Sequence, residues 1–401
     1  MTARRISIMG ATGSVGVSAL NVIAYANEAA GTPVFEIDTL AAGSNVDALV
    51  MQVHACGARH AVIADQSRYA DLKAALSGSG VSIAAGSEAV SEAATRKVDR
   101  VLAAIVGIAG LPSTLAAIEA GNSVALANKE SMVCAGPLLK KRSAETGAAI
   151  VPTDSEHNAM FQVMERRDDV EALILTASGG PFHNSPLEDL QAVTPDLALA
   201  HPRWDMGHKI SIDSATLFNK GLELIEAAYL FEMPEDKIDV VIQPQSIVHS
   251  LVAYRDGSIL AQMGTPDMRT PILHALTWPE RRQQGPAKRL DLTALRQLDF
   301  EALDTERFGS VDLCREALRL GGGAPAVLNC ANETAVAAFL AGQCGFMDIE
   351  WIVAEALSQF SAHSYVKAPL DSLEAVIGVQ DEAKELARRL VEKAATRREG
   401  V

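Results

Sequence analysis

The sequence predicts an α/β protein in three parts: a Rossmann-like parallel-sheet domain, a catalytic α/β (α+β) domain with a mixed sheet, and a C-terminal helical bundle. Three observations carry this. Short apolar runs alternate with amphipathic helical runs from residue 4 to about 150, a glycine-rich loop follows the first run, and the pattern beyond about residue 305 is helical. Alternation of the first kind builds a parallel sheet covered on both faces. At 401 residues the chain exceeds what one core usually supports. The expected boundaries are 1–150 for nucleotide binding, 151–280 for metal and substrate binding, 281–305 for a polar linker, and 306–401 for the helical domain.

Taken in order, the strand candidates of the first part are RISIM, FEIDTLA, HAVIA, VSIAA, RVLAAI, SVALA and AAIV. In the second part ALILTAS leads into a loop punctuated by Pro186, Pro195 and Pro202. A strand KISID and one long helix from Ser214 to Phe231 are expected next. DVVIQP and a hairpin turning at Asp256-Gly257 come after, then a helix near Thr270. The last part contains PAVLNCANETAVAAFLAG and a charged final helix.

Composition excludes several classes. A net charge of −15 disfavours nucleic acid and anionic membranes as partners. The five cysteines (Cys56, Cys134, Cys314, Cys330, Cys344) are scattered and never spaced C-x-x-C, which argues for reduced thiols and no zinc site. The start, MTARRISIMG, enters a strand at once and leaves no room for a signal peptide. The most apolar run, VLAAIVGIAGLPSTLAAI, is broken by glycines and Pro112 and is too short for a membrane span. A soluble cytoplasmic protein is expected.

The loop GATGSVG, Gly10 to Gly16, opens a helix directly after the first strand. Glycines there let backbone approach a pyrophosphate, and a helix N-terminus offers free N–H groups. The second strand ends LAAGSN, without the Asp or Glu that would hold a ribose 2′-hydroxyl, which disfavours NAD. Ser44 stands where a basic residue would serve a 2′-phosphate.

Further on, ALANKESMV places Asn128, Lys129 and Glu130 at the end of a strand, where ligands of open sheets collect. A solvated first helical turn is the competing reading. VPTDSEHNAMFQ sets Asp154, Ser155, Glu156 and His157 together after Pro152. Thr153-x-x-Glu156 spells a capping box, and Thr153, Asp154 or Ser155 could cap; a hard-metal or acid/base site is the alternative. Farther along, Asn219, Lys220 and Glu223 share one helical face. Ser178 in TASGGPF, with Ser214, Asn219 and Lys220, makes a plausible set of phosphate donors. Asp154, Glu156 and Glu223 make three oxygen ligands suited to Mg²⁺ or Mn²⁺. A surface pair of Lys220 with Glu223 or Glu226 is the competing reading.

GATGSVG, ALANKES, PTDSEHNA, ASGGPF, the segment HPRWDMGHKISIDSATLFNKGLELIEA and GTPDMRTPI, in this order, resemble the 1-deoxy-D-xylulose 5-phosphate reductoisomerase family over nearly the whole chain. The resemblance implies a homodimer that uses NADPH and a divalent metal (Mg²⁺, Mn²⁺ or Co²⁺). The implied reaction rearranges and reduces 1-deoxy-D-xylulose 5-phosphate to 2-C-methyl-D-erythritol 4-phosphate, an isoprenoid precursor. By motif, Asp154, Glu156 and Glu223 are the implied metal ligands. Ser155, Ser178, His201, Ser214, Asn219 and Lys220 are implied substrate contacts, with Lys129 near the substrate hydroxyls. Implied catalytic groups are Lys129, Asp154, Glu156, Glu223 and His201. Thr12, Gly13, Ser14, Val15, Gly43, Ser44, Asn45, Asn128, Glu130 and Gly207 are implied nucleotide contacts. Two positions depart from the family pattern: Ser44 replaces a basic residue, and Arg203 stands where Asn is frequent. HPRWDMG, with Trp204 as cover, is expected to be a lid.

Two rivals stand beside this reading. An NADP-dependent semialdehyde or acyl-phosphate dehydrogenase would need a nucleophilic cysteine, and Cys134 has no evident His partner. A non-catalytic nucleotide-binding module would have no use for three carboxylates and Lys220.

Overall fold

The computed structural model describes residues 3–200, 207–281, 283–361 and 370–399. The chain divides into two compact units. One comprises Met1–Ser131, Leu139–Phe161 and Asp267–Arg289, the other Met132–Leu138, Gln162–Pro266 and Leu290–Val401.

The first unit is built on strands β1 (Arg4–Met9), β2 (Phe35–Ala42), β3 (His60–Ile63), β4 (Ser82–Ala85), β5 (Arg100–Ala103), β6 (Val124–Leu126) and β7 (Ile150–Pro152). All pairings are parallel, in the order β4-β3-β2-β1-β5-β6-β7. The linking helices are α1 (Ser14–Ala30), α2 (Val46–Cys56), α3 (Tyr69–Ala75), α4 (Ser87–Ala94), α5 (Leu111–Glu119) and α6 (Lys129–Thr146), and α7 (Ser155–Val163) follows β7. Continuous apolar strands need cover on both faces. Ile6, Ile8, Leu40 and Leu102 accordingly share one core with Val22 and Ile23 of α1 and Leu49 and Val53 of α2.

The second unit opens with β8 (Val170–Ala177), α8 (Pro195–Leu199), α9 (His208–Ala215), α10 (Phe218–Phe231), β9 (Ile238–Ile242), β10 (Val248–Tyr254) and β11 (Ile259–Met263). The chain then returns to the first unit as α11 (Arg269–Thr277), whose Ile272, Ala275 and Leu276 join that unit's core. Arg4 donates to the carbonyls of Leu276 and Trp278, and Arg100 to that of Trp278, so two cations sit at the helix C-terminus where its dipole favours them.

The remaining elements, α12 (Leu292–Leu295), β12 (Glu301–Ala302), α13 (Ser310–Leu320), α14 (Ala324–Leu340), α15 (Phe346–Ser361) and α16 (Leu373–Glu399), complete the second unit. Its mixed sheet runs β11-β10-β8-β9-β12, with only β8 and β9 parallel. Among the described residues no helix is long and apolar enough to cross a membrane.

Three expectations are corrected. KISID is helical, not a strand: it lies in α9, where Lys209 and Asp213 pair at i,i+4 spacing and the Ser211 hydroxyl donates to Gly207 O. The long helix from Ser214 is two helices, parted where Leu217 takes a left-handed conformation (φ 61°). The stretch 281–305 is not merely irregular, since Glu301 and Ala302 add an edge strand beside β9.

Candidate active site

In the first unit the strand order reverses between β1 and β5, which is where open α/β sheets bind ligands. The glycine loop leaves β1 at that point. Gly10 has φ +98°, and a Cβ on it would lie 2.5 Å from Ala104 O; one on Gly16 would lie 2.4 Å from Gly10 O. Those two glycines let the turn close, whereas Gly13 is exposed and a Cβ on it would come no nearer than 3.4 Å to any atom beyond its chain neighbours. Gly13 is the N-cap of α1 and makes no side-chain cap, so no side chain at this position satisfies the first N–H groups of the helix. Thr12, Ser14 and Val15 surround it, exposed or half-buried. Gly43, Ser44 and Asn45 form the exposed turn after β2, where Asn45 caps α2 by accepting from Ala48 N at 3.0 Å.

Asn128 caps α6 in the same way, accepting from Ser131 N at 3.0 Å. Its amide donates to Gly107 O at 2.9 Å and to Glu130 at 2.8 Å. Lys129 and Glu130 are only 6% and 7% exposed, so the solvated-turn reading fails. Lys129 Nζ instead lies 2.6 Å from Asp154 Oδ2, and His157 Nδ1 lies 3.4 Å from the other oxygen. Burial pushes the Asp154 carboxyl up, but the Lys129 ammonium and then His157 outweigh it and hold the group well below the usual carboxylate range. Ser155 donates to Glu156, and Glu156 N points to Asp154 Oδ1 at 3.3 Å. The capping box is not formed: the buried Thr153 hydroxyl has no partner among the described residues.

In the second unit the turn after β8 carries Ser178, Gly179 and Gly180. Both glycines have positive φ, and a Cβ on Gly180 would meet Ser214 O at 2.6 Å. The turn therefore lies against the C-terminal end of α9, bringing Ser178 and Ser214 to one corner. Beyond Leu217, α10 carries Asn219 and Lys220, both of which donate to Glu223, Asn219 at 2.6 Å. Lys220 and Glu223 are 3% and 1% exposed, which rules out a surface pair. One neighbour of Lys220 escaped sequence reasoning. His249 on β10 is buried, its pKa pushed down to about 4 first by burial and then by the Lys220 charge, against a hydrogen bond with Gln262. Its only signal was a histidine beside Ser250 in a mainly apolar strand. Gly207, the N-cap of α9, is exposed. His201, Arg203 and Trp204, and with them the expected lid, lie outside the described residues.

Comparison with known proteins decides the family. Family models of 1-deoxy-D-xylulose 5-phosphate reductoisomerase match residues 6–136 and, for its C-terminal domain, 150–231, and a DXP reductoisomerase C-terminal domain model matches 263–386. The Caulobacter vibrioides enzyme of that name is 50% identical over 97% of this chain and 96% of its own. The chain belongs to the 1-deoxy-D-xylulose 5-phosphate reductoisomerase family. The Zymomonas mobilis reductoisomerase solved with NADPH superposes with a TM-score of 0.90 at 48% identity, covering 98% of this chain and 100% of that one. A DOX-P reductoisomerase solved with NADPH, fosmidomycin and magnesium gives a TM-score of 0.90 at 41% identity, covering 97% and 98%. The dehydrogenase rival also loses its nucleophile. Cys134 is buried in α6 and takes a hydrogen bond from Gln380 Nε2 at 3.3 Å, as a packed thiol does.

Proposed function

We propose that this reductoisomerase holds a divalent cation on Asp154, Glu156 and Glu223, and the phosphate of its substrate on Ser178, Ser214, Asn219 and Lys220. Ser155 and His201 complete the substrate contacts, and Lys129 addresses the sugar hydroxyls. Thr12, Gly13, Ser14, Val15, Gly43, Ser44, Asn45, Asn128, Glu130 and Gly207 serve NADPH. The reaction follows from family membership: 1-deoxy-D-xylulose 5-phosphate is rearranged and reduced by NADPH to 2-C-methyl-D-erythritol 4-phosphate, on the route to isoprenoids. The observation that carries this reading is the 50% identity spanning 97% of the chain. A cytoplasmic homodimer is part of the same proposal.

The residues present suit both the cation and the dinucleotide. A carboxylate held ionised by Lys129, with two further carboxylates, offers hard oxygen donors of the kind Mg²⁺ or Mn²⁺ prefers. The uncapped start of α1, with the backbone open at Gly13, suits a pyrophosphate. When bound, the cation supplies an electrophile for the negative charge that develops on substrate oxygen as the C–C bond breaks. The chain's own part is positioning. Lys220 and Asn219, fixed by Glu223, present an ammonium and an amide to the phosphate, which is remote from the reacting carbons and can orient them. Lys129, anchored on Asp154, is a donor placed to hold a hydroxyl in one orientation.

The test is a Mg²⁺ titration of NADPH-linked turnover in Asp154→Asn, Glu156→Gln and Glu223→Gln, with NADPH binding measured separately. All three variants are expected to need far more Mg²⁺ while binding NADPH normally. Glu223→Gln behaving like wild type towards Mg²⁺ would remove it from the set and leave Asp154 as the helix cap it also resembles.

A further inference from the structure

The corner that carries Ser214, Asn219 and Lys220 is held from behind by the C-terminal helices. Asp213, 2% exposed on α9, is the residue before Ser214. One of its oxygens takes the Lys209 ammonium and the other accepts from Asn332 Nδ2 of α14 at 2.7 Å. Asn332 is fully buried, and its Oδ1 has no partner among the described residues. A buried amide with half its capacity unmet is costly where an apolar side chain would simply pack. One turn on, the Ser310 hydroxyl of α13 donates to Thr216 O at 2.7 Å. Directly after the second anchor Leu217, 4% exposed, stays in its left-handed conformation, and its carbonyl accepts from Lys220 N and Gly221 N. Backbone strain of this kind persists only where the surroundings over-determine it.

We propose that Asn332 is a positioning residue for phosphate recognition: through Asp213 it sets the α9–α10 corner from which Ser214, Asn219 and Lys220 reach the substrate phosphate. The C-terminal helical segment thus takes part in substrate selection without touching substrate. This rests on the assignment of Ser214, Asn219 and Lys220 as phosphate contacts.

The experiment uses the full-length holoenzyme with saturating NADPH and Mg²⁺. It measures KM for the sugar phosphate, inhibition by inorganic phosphate, Mg²⁺ half-saturation, NADPH Kd and Tm. Asn332→Ala is expected to raise KM and the phosphate inhibition constant together, each by about tenfold, with Mg²⁺ half-saturation and NADPH Kd unchanged within about twofold. The exchange Asn332→Asp with Asp213→Asn keeps one carboxylate and one amide across the same contact. It is expected to recover most of the loss, while Asn332→Asp alone sets two carboxylates face to face and is worse than Asn332→Ala. If Asn332→Ala does not fold, the single and exchanged variants give the same comparison. Unchanged phosphate inhibition in Asn332→Ala, failure of the exchange to rescue, or parallel loss of Mg²⁺ and NADPH binding would each overturn the proposal. Lys220→Ala separates the two layers. If it leaves phosphate inhibition unchanged, the phosphate assignment fails and this inference with it; if it abolishes inhibition while Asn332→Ala does not weaken it, only the role of Asn332 fails.

Discussion

At the scale of single residues, charge and burial decide what each group can do. Asp154 has the sequence position of a helix cap, yet its carboxylate is engaged by Lys129 and His157 and stays ionised in a buried setting. That engagement was not legible locally, because Lys129 is 25 residues away in sequence and arrives through the parallel pairing of β6 with β7. The cofactor preference, by contrast, can be read from a few side chains. The turn after β2 exposes Gly43, Ser44 and Asn45, with no acid for a 2′-hydroxyl and no cation for a 2′-phosphate. NADPH is expected to exceed NADH in kcat/KM by more than about tenfold, some 1.4 kcal/mol, because only an acid there would favour NADH. Ser44→Arg should hold or raise that ratio. Comparable kcat/KM for the two cofactors in the unmodified enzyme would contradict the assignment.

At the scale of elements, helix α10 shows how a close approach reverses an ordinary rule. A glycine inside a helix is normally worse than alanine by roughly 0.5–1 kcal/mol. Gly221 lies inside α10, but a Cβ there would sit 2.4 Å from Cys314 Sγ and 3.2 Å from Ser310 O on α13. Gly221→Ala is therefore expected to destabilise the protein by about 1–3 kcal/mol, the usual range for overpacking. Pairing it with Cys314→Ala should restore part of the loss in a thermal melt; a variant as stable as wild type would show that α13 can yield. The same region contains the misread strand. Ile210 and Ile212 alternate with Ser211 and Asp213 as a half-buried strand would, and period-two alternation over five residues is too short to decide against a helix. Pairing of Asp213 with Lys209 and Asn332 decided it, and the second partner lies 119 residues away.

At the scale of the whole molecule, buried histidine sets the response to acid. An ordinary histidine titrates near 6.5, whereas burial and the Lys220 charge move His249 down to about 4. Between those values the unfolded chain binds more protons than the folded one, so stability falls as pH drops through that window. His249 alone accounts for about 2–3 kcal/mol between pH 7 and 4.5 at 1.4 kcal/mol per pH unit. His274, also near 4 through burial and the charges of Arg281 and Arg100, steepens the same slope. Asp154 acts in the same sense in a lower window: its lowered pKa adds stability that is lost as pH falls below the ordinary aspartate value. His249→Gln should flatten the dependence of Tm on pH between 6.5 and 4.5, and an unchanged slope would show that His249 is solvated in solution.

Local chemistry in the sequence determined a great deal by itself. Alternating apolar runs specified the parallel sheet, since strands buried on both faces must be apolar throughout. The glycine spacing specified a tight turn after β1, because a Cβ at Gly10 or Gly16 has no room. Motif order carried the family, because several independent short motifs rarely fall in one order by chance. Tertiary structure decided what depends on distant partners. It turned KISID into a helix, returned α11 to the first sheet's core, and put Arg4 and Arg100 at the end of that helix. It also set His249 beside Lys220, and Asn332 behind Ser214. The physical reason is the same in each case. Periodicity and turn chemistry act over a few residues, but the cost of burying a charge or an amide is settled by whichever group the fold brings within hydrogen-bonding distance.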